Sequence, residues 1–217
     1  MKSTAESFNF VSTPSSIRWG KLPYLGVLMV SLASAAGCAA DPPAPDVVTA
    51  PKNFDASSLE GAWYIVASDL PEWTGGEKKS PMVHFKLHDA DGDGTLKMEN
   101  KVTFLEGGKP GEHLGDDTQD AVTRTNFTWR SSGALSTSSA NWYVVYMSPE
   151  KTWAVSYYDK RGDQPAGVSV ISRTVTISDA VLAEARTLIN GQAALAVHAD
   201  GLKVIDHADT PKTAVVD

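Results

Sequence analysis

The densest set of ligating groups in this 217-residue sequence is Asp89-Ala90-Asp91-Gly92-Asp93-Gly94. Its alternating carboxylates match the first six positions of a calcium loop. The twelfth position holds Asn100 in place of a bidentate Glu, and both flanks read as strands. The segment is therefore expected to be an Asp/Gly-rich hairpin turn, with no metal. Histidines stand at 84, 88, 113, 198 and 207. On a strand, His84 and His88 lie about 13 Å apart, too far to share an ion. Asp159 and Asp163 sit in a loop and suit a rim better than a catalytic position. No Ser/His/Asp constellation is readable, no acidic residue clearly falls on an inward face, and no cofactor is expected. Asn126-Phe127-Thr128 is a glycosylation sequon, meaningful only in a eukaryotic source.

The single cysteine, Cys38, rules out an intrachain disulfide. It follows the apolar run 22–37, with Arg18 and Lys21 before it. The run is short and rich in small residues, which suits an export signal better than a membrane span. Ala35-Ala36-Gly37-Cys38 resembles a bacterial lipobox. That resemblance implies cleavage before Cys38, lipidation of its thiol with diacylglycerol, and acylation of its amine by a chain such as palmitate. The acyl chains would anchor the protein in the cell envelope, at the outer membrane. The alternative is a plain secretory signal cut at an Ala-x-Ala site, giving a secreted protein.

Residues 38–53 are Pro-rich and aperiodic, and read as an extended tether. Loss of residues 1–37 removes three cations and one anion, taking the net charge from −7 to −9. That balance, without a basic block, argues against a nucleic-acid surface. Hydrophobic residues make up 42% of the chain, enough for a substantial core. The expected organisation is signal 1–37, tether 38–53, one folded domain 54–208 and a tail 209–217.

The domain reads as strands. Glu60 to Ala67 is the first, with Gly61, Trp63, Ile65 and Ala67 on one face. Asp69 to Pro81 reads as a long loop. Met82–His88 and Leu96–Phe104 alternate, with Val83, Phe85, Leu87, Met98 and Phe104 on apolar faces. Asn100 is a polar exception on such a face. Glu106 to Asp120 reads as a Gly/Asp-rich connection. Further strands are expected over 121–130, 133–137, 142–147, 153–158 and 166–172. About eight strands separated by turns predict an antiparallel up-and-down β-barrel. Ser178 to Asn190 breaks the pattern. Val181, Leu182, Ala185, Leu188 and Ile189 form an apolar stripe, Thr176 or Ser178 can cap, and Gly191 can stop it. This predicts one C-terminal α-helix packed on the barrel's outside, over 178–190. Leu202 to Ile205 is expected to add a last edge strand.

Gly61-x-Trp63-Tyr64 on the first strand and Ser172-Arg173-Thr174-x-Thr176 after the last resemble the lipocalins, especially the bacterial outer-membrane lipoprotein type. Phe127-Thr128-Trp129-Arg130, Trp142-Tyr143-Val144 and Pro165-Ala166-Gly167 resemble segments of broader lipocalin-like families, including relatives of the carotenoid de-epoxidase barrel. The likeness spans about residues 53–192. Ser148-Pro149-Glu150-Lys151 replaces the family's usual Thr-Asp-Tyr-like turn. The resemblance implies that Arg173 lies across Trp63 by cation–π contact and seals one end.

An eight-stranded barrel is wide enough for one small ligand. Phe85, Met98, Phe104, Phe127, Trp129, Tyr146 and Tyr157 are the expected inner wall, a cup for a fatty acid, lysophospholipid or similar small hydrophobic ligand. A lipid-anchored binding or transport protein, not an enzyme, is the expected function. The alternatives are a lipocalin-like enzyme doing isomerase or epoxide chemistry, and a structural envelope protein with a filled barrel. A large open cavity favours carriage, a packed interior favours structure, and a buried, perturbed carboxylate favours catalysis.

Overall fold

The computed structural model describes residues 54–88, 95–132 and 138–209, all within the unit Ala40–Asp217. The expected signal 1–37, Cys38, the calcium-like segment Asp89–Gly94 and the expected strand at 133–137 lie outside the described residues.

Strands β1 (Gly61–Ser68), β2 (Lys78–Leu87), β3 (Lys97–Glu106), β4 (Lys109–Gln119), β5 (Asn126–Ser131), β6 (Ser139–Met147), β7 (Trp153–Tyr158) and β8 (Gly167–Ser172) form an antiparallel meander. β1 pairs with both β2 and β8, which closes the sheet into an eight-stranded up-and-down barrel. The seam is divided along β1. Gly61 to Tyr64 pair with β2, while Ala67 and Ser68 take the two-residue strand β9 (Lys203–Val204). The expected edge strand near Leu202–Ile205 is thus present.

Two expected connections are instead largely regular structure. The segment after β1 contains a short helix α1 (Pro71–Thr74), with Pro71 at its start, and β2 begins at Lys78. The segment 106–120 is mostly β4. Only Gly107 and Gly108, both at positive φ, make the turn, between paired Glu106 and Lys109. β4 escapes period-2 reading because its inner positions include Gly111, Gly115, Asp117 and Gln119 in place of apolar residues.

Helix α2 (Asp179–Asn190) begins at Ser178, whose hydroxyl accepts from the Val181 N–H, and ends at Gly191. Leu182, Ala185 and Ile189 are buried against outward residues of the barrel, among them Tyr64, Val66, Val155 and Val170. Burying each large aliphatic side chain contributes about 1.5–3 kcal/mol. A second short helix, α3 (Ala196–Ala199), follows and is tied down where His198 Nδ1 meets Asp69 Oδ2 at 2.6 Å.

The barrel has two apolar clusters. The inner one contains Trp63, Ile65, Phe85, Met98, Phe127 and Trp142. The outer one lies under α2 and α3. Strand irregularities decide some memberships. A register shift in β1 between Ile65 and Ala67 puts Ala67 in the outer cluster, not beside Trp63.

One end is sealed by the residues that carried the lipocalin resemblance. The Arg173 guanidinium lies 3.8 Å from the centre of the Trp63 ring. It donates to the carbonyls of Ala62, Ser58 and Glu60 at 2.7–2.9 Å. Trp63 Nε1 donates to the Leu59 carbonyl at 2.6 Å, so the fully buried indole has its partner. Gly61 has φ +93°, and a Cβ there would lie 3.2 Å from Arg173 Nη1. The positive φ calls for glycine, and a Cβ would also press on the guanidinium.

Arg173→Ala removes the ring contact and leaves three carbonyls without their donor. We expect destabilisation of about 1–3 kcal/mol, read from the chemical-denaturation midpoint. A midpoint equal to wild type would show that the seal contributes nothing.

Candidate functional site

The inner wall is built from stacked rings. Trp142 of β6 lies between Phe85 (5.6 Å, 17°) and Phe127 (4.6 Å, 16°), with Tyr158 at 6.2 Å on its flank. The neighbouring rings Phe104 and Trp129 fit because β4 carries glycine at 111 and 115. The Trp129 indole occupies the place of a Cβ on Gly115, and the Phe104 ring lies 2.5 Å from that place on Gly111.

At the end away from Trp63, α1 covers the wall. Trp73 packs on Phe104 at 5.9 Å, and Phe104 packs on His113 at 4.8 Å. Glu72 Oε1 accepts from Lys78 Nζ at 2.6 Å and meets His113 Nε2 at 2.8 Å. Burial works against the Glu72 charge, but these two partners outweigh it and hold its pKa at about 2. Lys78 also sits 4.3 Å over the Phe104 ring.

Between the stack and this cover lies a cavity of about 120 Å³. Trp129, Phe85, Val102 and Trp142 supply apolar wall, while Asn100 and Tyr158 supply polar groups. Asp159 and Arg161 also line it, and Arg161 lies 5.2 Å over the Trp129 ring. Asp163, read alongside Asp159 from the sequence, is not part of this lining.

Behind Asn100 stands Asp117 of β4, fully buried. Its Oδ2 accepts from Asn100 Nδ2 and its Oδ1 from Trp142 Nε1, both at 2.8 Å. Burial pushes its pKa up to about 7 despite these two hydrogen bonds, and neighbouring Asp116 pushes the same way. The expectation that no acidic residue faces inward is therefore corrected. The glycine- and aspartate-rich sequence of β4 reads as a connection, so nothing local marks Asp117 as an inner strand position. The one signal that pointed here was Asn100, the polar exception on an apolar face.

Of the seven expected wall residues, Phe85, Met98, Phe104, Phe127 and Trp129 belong to or pack against the inner cluster. Only Phe85 and Trp129 line the cavity. Tyr146 and Tyr157 are corrections, since both pack with the outer cluster. A register shift between Val144 and Tyr146 moves Tyr146 outward, where its hydroxyl donates to Glu184 of α2 at 3.3 Å. On β7 the inner positions include Ala154 and Tyr158, so Tyr157 is outside, beside His198. The outer face of β7 is the more apolar one because α2 and α3 cover it.

The Asp117 site makes stability pH-dependent. The folded pKa near 7 lies above the unfolded value, so Asp117 favours folding at low pH, and that contribution is lost as pH rises towards 7. Glu72 and His207, both shifted down, act in the opposite sense at lower pH. Comparison with Asp117→Asn isolates the effect. We expect wild type to lose on the order of 3 kcal/mol relative to Asp117→Asn between pH 4.5 and 8, read from denaturation midpoints. A difference that stays constant across this range would show that Asp117 titrates normally.

No protein-family model matches the chain, and no curated protein does. Solved structures do. Apocrustacyanin C2 aligns over 68% of this chain and 77% of its own, with a TM-score of 0.52 and 11% identity. Lobster apocrustacyanin A1 aligns over 70% and 78%, with a TM-score of 0.53 and 12% identity. The cockroach allergen Per a 4 aligns over 75% and 94%, with a TM-score of 0.51 and 13% identity. Likeness at these identities is likeness of fold, and with the closed eight-stranded meander and its following helix it establishes that this chain has the lipocalin fold.

Proposed function

We propose that this protein is a binding protein for a compact apolar molecule, held in the barrel and tethered in the cell envelope through Cys38. The observation that carries the binding reading is the aromatic-walled cavity with Asn100 set in its wall. Apolar walls with a few placed polar groups are the usual form of a small-molecule site. The volume of about 120 Å³ narrows the ligand class. An apolar cavity of roughly 150 Å³ takes one benzene. A single ring or a short branched chain therefore suits this cavity better than a fatty acid or lysophospholipid. A long chain would need Trp142 to leave its stack between Phe85 and Phe127.

Catalysis is the second reading, favoured by the buried Asp117 carboxyl with its raised pKa. It ranks lower because both Asp117 oxygens are engaged with Asn100 and Trp142, and a general acid or base must reach its substrate.

Toluene and a fluorescent sixteen-carbon fatty acid, titrated separately into the full chain, test the binding reading. We expect saturable uptake of one toluene per barrel and weaker uptake of the fatty acid. Trp129→Glu should abolish uptake, because a charge on the cavity wall loses its hydration. Absence of saturable uptake of either probe by wild type would sink the reading.

The anchor is tested apart from the cavity. In a bacterial host, Cys38→Ser should abolish metabolic labelling by palmitate and release the protein from membranes. Undiminished labelling would overturn lipidation at Cys38.

A further inference from the structure

Asn100 is a buried amide whose nitrogen is hydrogen-bonded and whose oxygen is not. It is 9% exposed and lines the cavity. Its Nδ2 is committed to Asp117 at 2.8 Å, while its Oδ1 has no hydrogen-bond partner among the described residues. Buried carbonyl oxygens are rarely left unpaired, because desolvation without a partner is unfavourable.

The orientation of this amide is dictated from behind. An ionised carboxylate only accepts hydrogen bonds. Asp117 must therefore face the nitrogen of Asn100, which turns the oxygen away. The carboxylate cannot swing aside, because its other oxygen holds the indole N–H of Trp142. Trp142 in turn is clamped between Phe85 and Phe127. The chain from ring stack to carboxylate to amide ends in one unpaired, buried acceptor on a residue of the cavity wall.

Resting on the reading of this cavity as a ligand site, we propose that Asn100 is its polar recognition group. It selects ring-sized ligands bearing an O–H or N–H donor, and Asp117 sets that preference by keeping the amide nitrogen turned from the cavity. The preference inverts when Asp117 is protonated. A carboxylic acid donates its own O–H, so Asn100 turns its oxygen to Asp117 and presents its N–H groups to the ligand. The cavity then suits an acceptor such as a carbonyl. Asp117 titrates near neutral pH. Asp116 of β4 acts on it directly, and Tyr158 of β7 feels its charge. Glu72 of α1, with Lys78 of β2, and His113 of β4 form the ion cluster at the cavity's cover. Asp159 and Arg161 also line it.

Calorimetric titration of the full chain with phenol, toluene and benzaldehyde at pH 8.5 and pH 5.5 tests this. At pH 8.5 wild type should bind phenol about tenfold more tightly than toluene, the scale of one net hydrogen bond. At pH 5.5 that ratio should fall towards one, and benzaldehyde should gain on toluene. Asn100→Leu should bind toluene and lose the phenol preference. Asp117→Asn should give ratios independent of pH. The wild-type pH comparison needs no variant, so it decides the matter even where Asn100→Leu does not fold. Failure of toluene to bind wild type would defeat the ligand-site reading and this inference together. Toluene binding without a phenol preference at pH 8.5 would defeat the inference alone. A preference that does not change with pH would remove Asp117 from it.

Discussion

Closure of the sheet at β1 is the constraint on which everything else in this protein depends. A barrel has no free edge, but one strand must hydrogen-bond to both its first and its last neighbour. Here that strand is β1, and Arg173 fixes the chain across its start. The guanidinium takes carbonyls from Ser58, Glu60 and Ala62 while lying on Trp63, so a single side chain ties the entry segment, β1 and the exit from β8 together. Trp63 then fills that end of the interior, and any cavity must form towards α1.

Filling the rest of the barrel poses a volume problem that β4 resolves. Stacked Phe85, Trp142 and Phe127 need space, and Gly111 and Gly115 provide it for the neighbouring rings Phe104 and Trp129. The same strand carries Asp117 into the interior. Its burial is tolerated because Trp142 and Asn100 both donate to it, and a fully buried indole N–H would itself be costly without an acceptor. Packing and recognition are thus coupled. The ring that fills the core also orients the carboxylate, and the carboxylate orients the amide that faces the cavity.

The outer wall shows why alternation alone misassigns tyrosines. α2 and α3 cover β1 and β6 to β8, so those strands are apolar on both faces. Where both faces are buried, period 2 no longer distinguishes inside from outside. Tyr146 and Tyr157 stand on the covered outer face for that reason, and the irregularity after Val144 adds a change of phase that no local signal announces.

What the sequence determined by itself was local or carried by a distinctive pair. Ser178 and Gly191 bounded the helix, the apolar stripe oriented it, and Trp63 with Arg173 pointed to the sealed barrel. These signals survive because caps, period 3.6 and a Gly-x-Trp motif act within a few residues. Asn100 was legible as an anomaly, a polar side chain among apolar ones, but not as half of a pair. Its partner Asp117 lies seventeen residues away on a strand whose inner positions are glycine and polar. Only the register of β3 against β4, Asn100 opposite Gly115 and Met98 opposite Asp117, brings the two within reach. The tertiary structure alone decided that an aspartate would be buried, that two expected wall tyrosines would face outward, and that the space left among the rings would be ring-sized. Each follows from which strands become neighbours when the sheet closes.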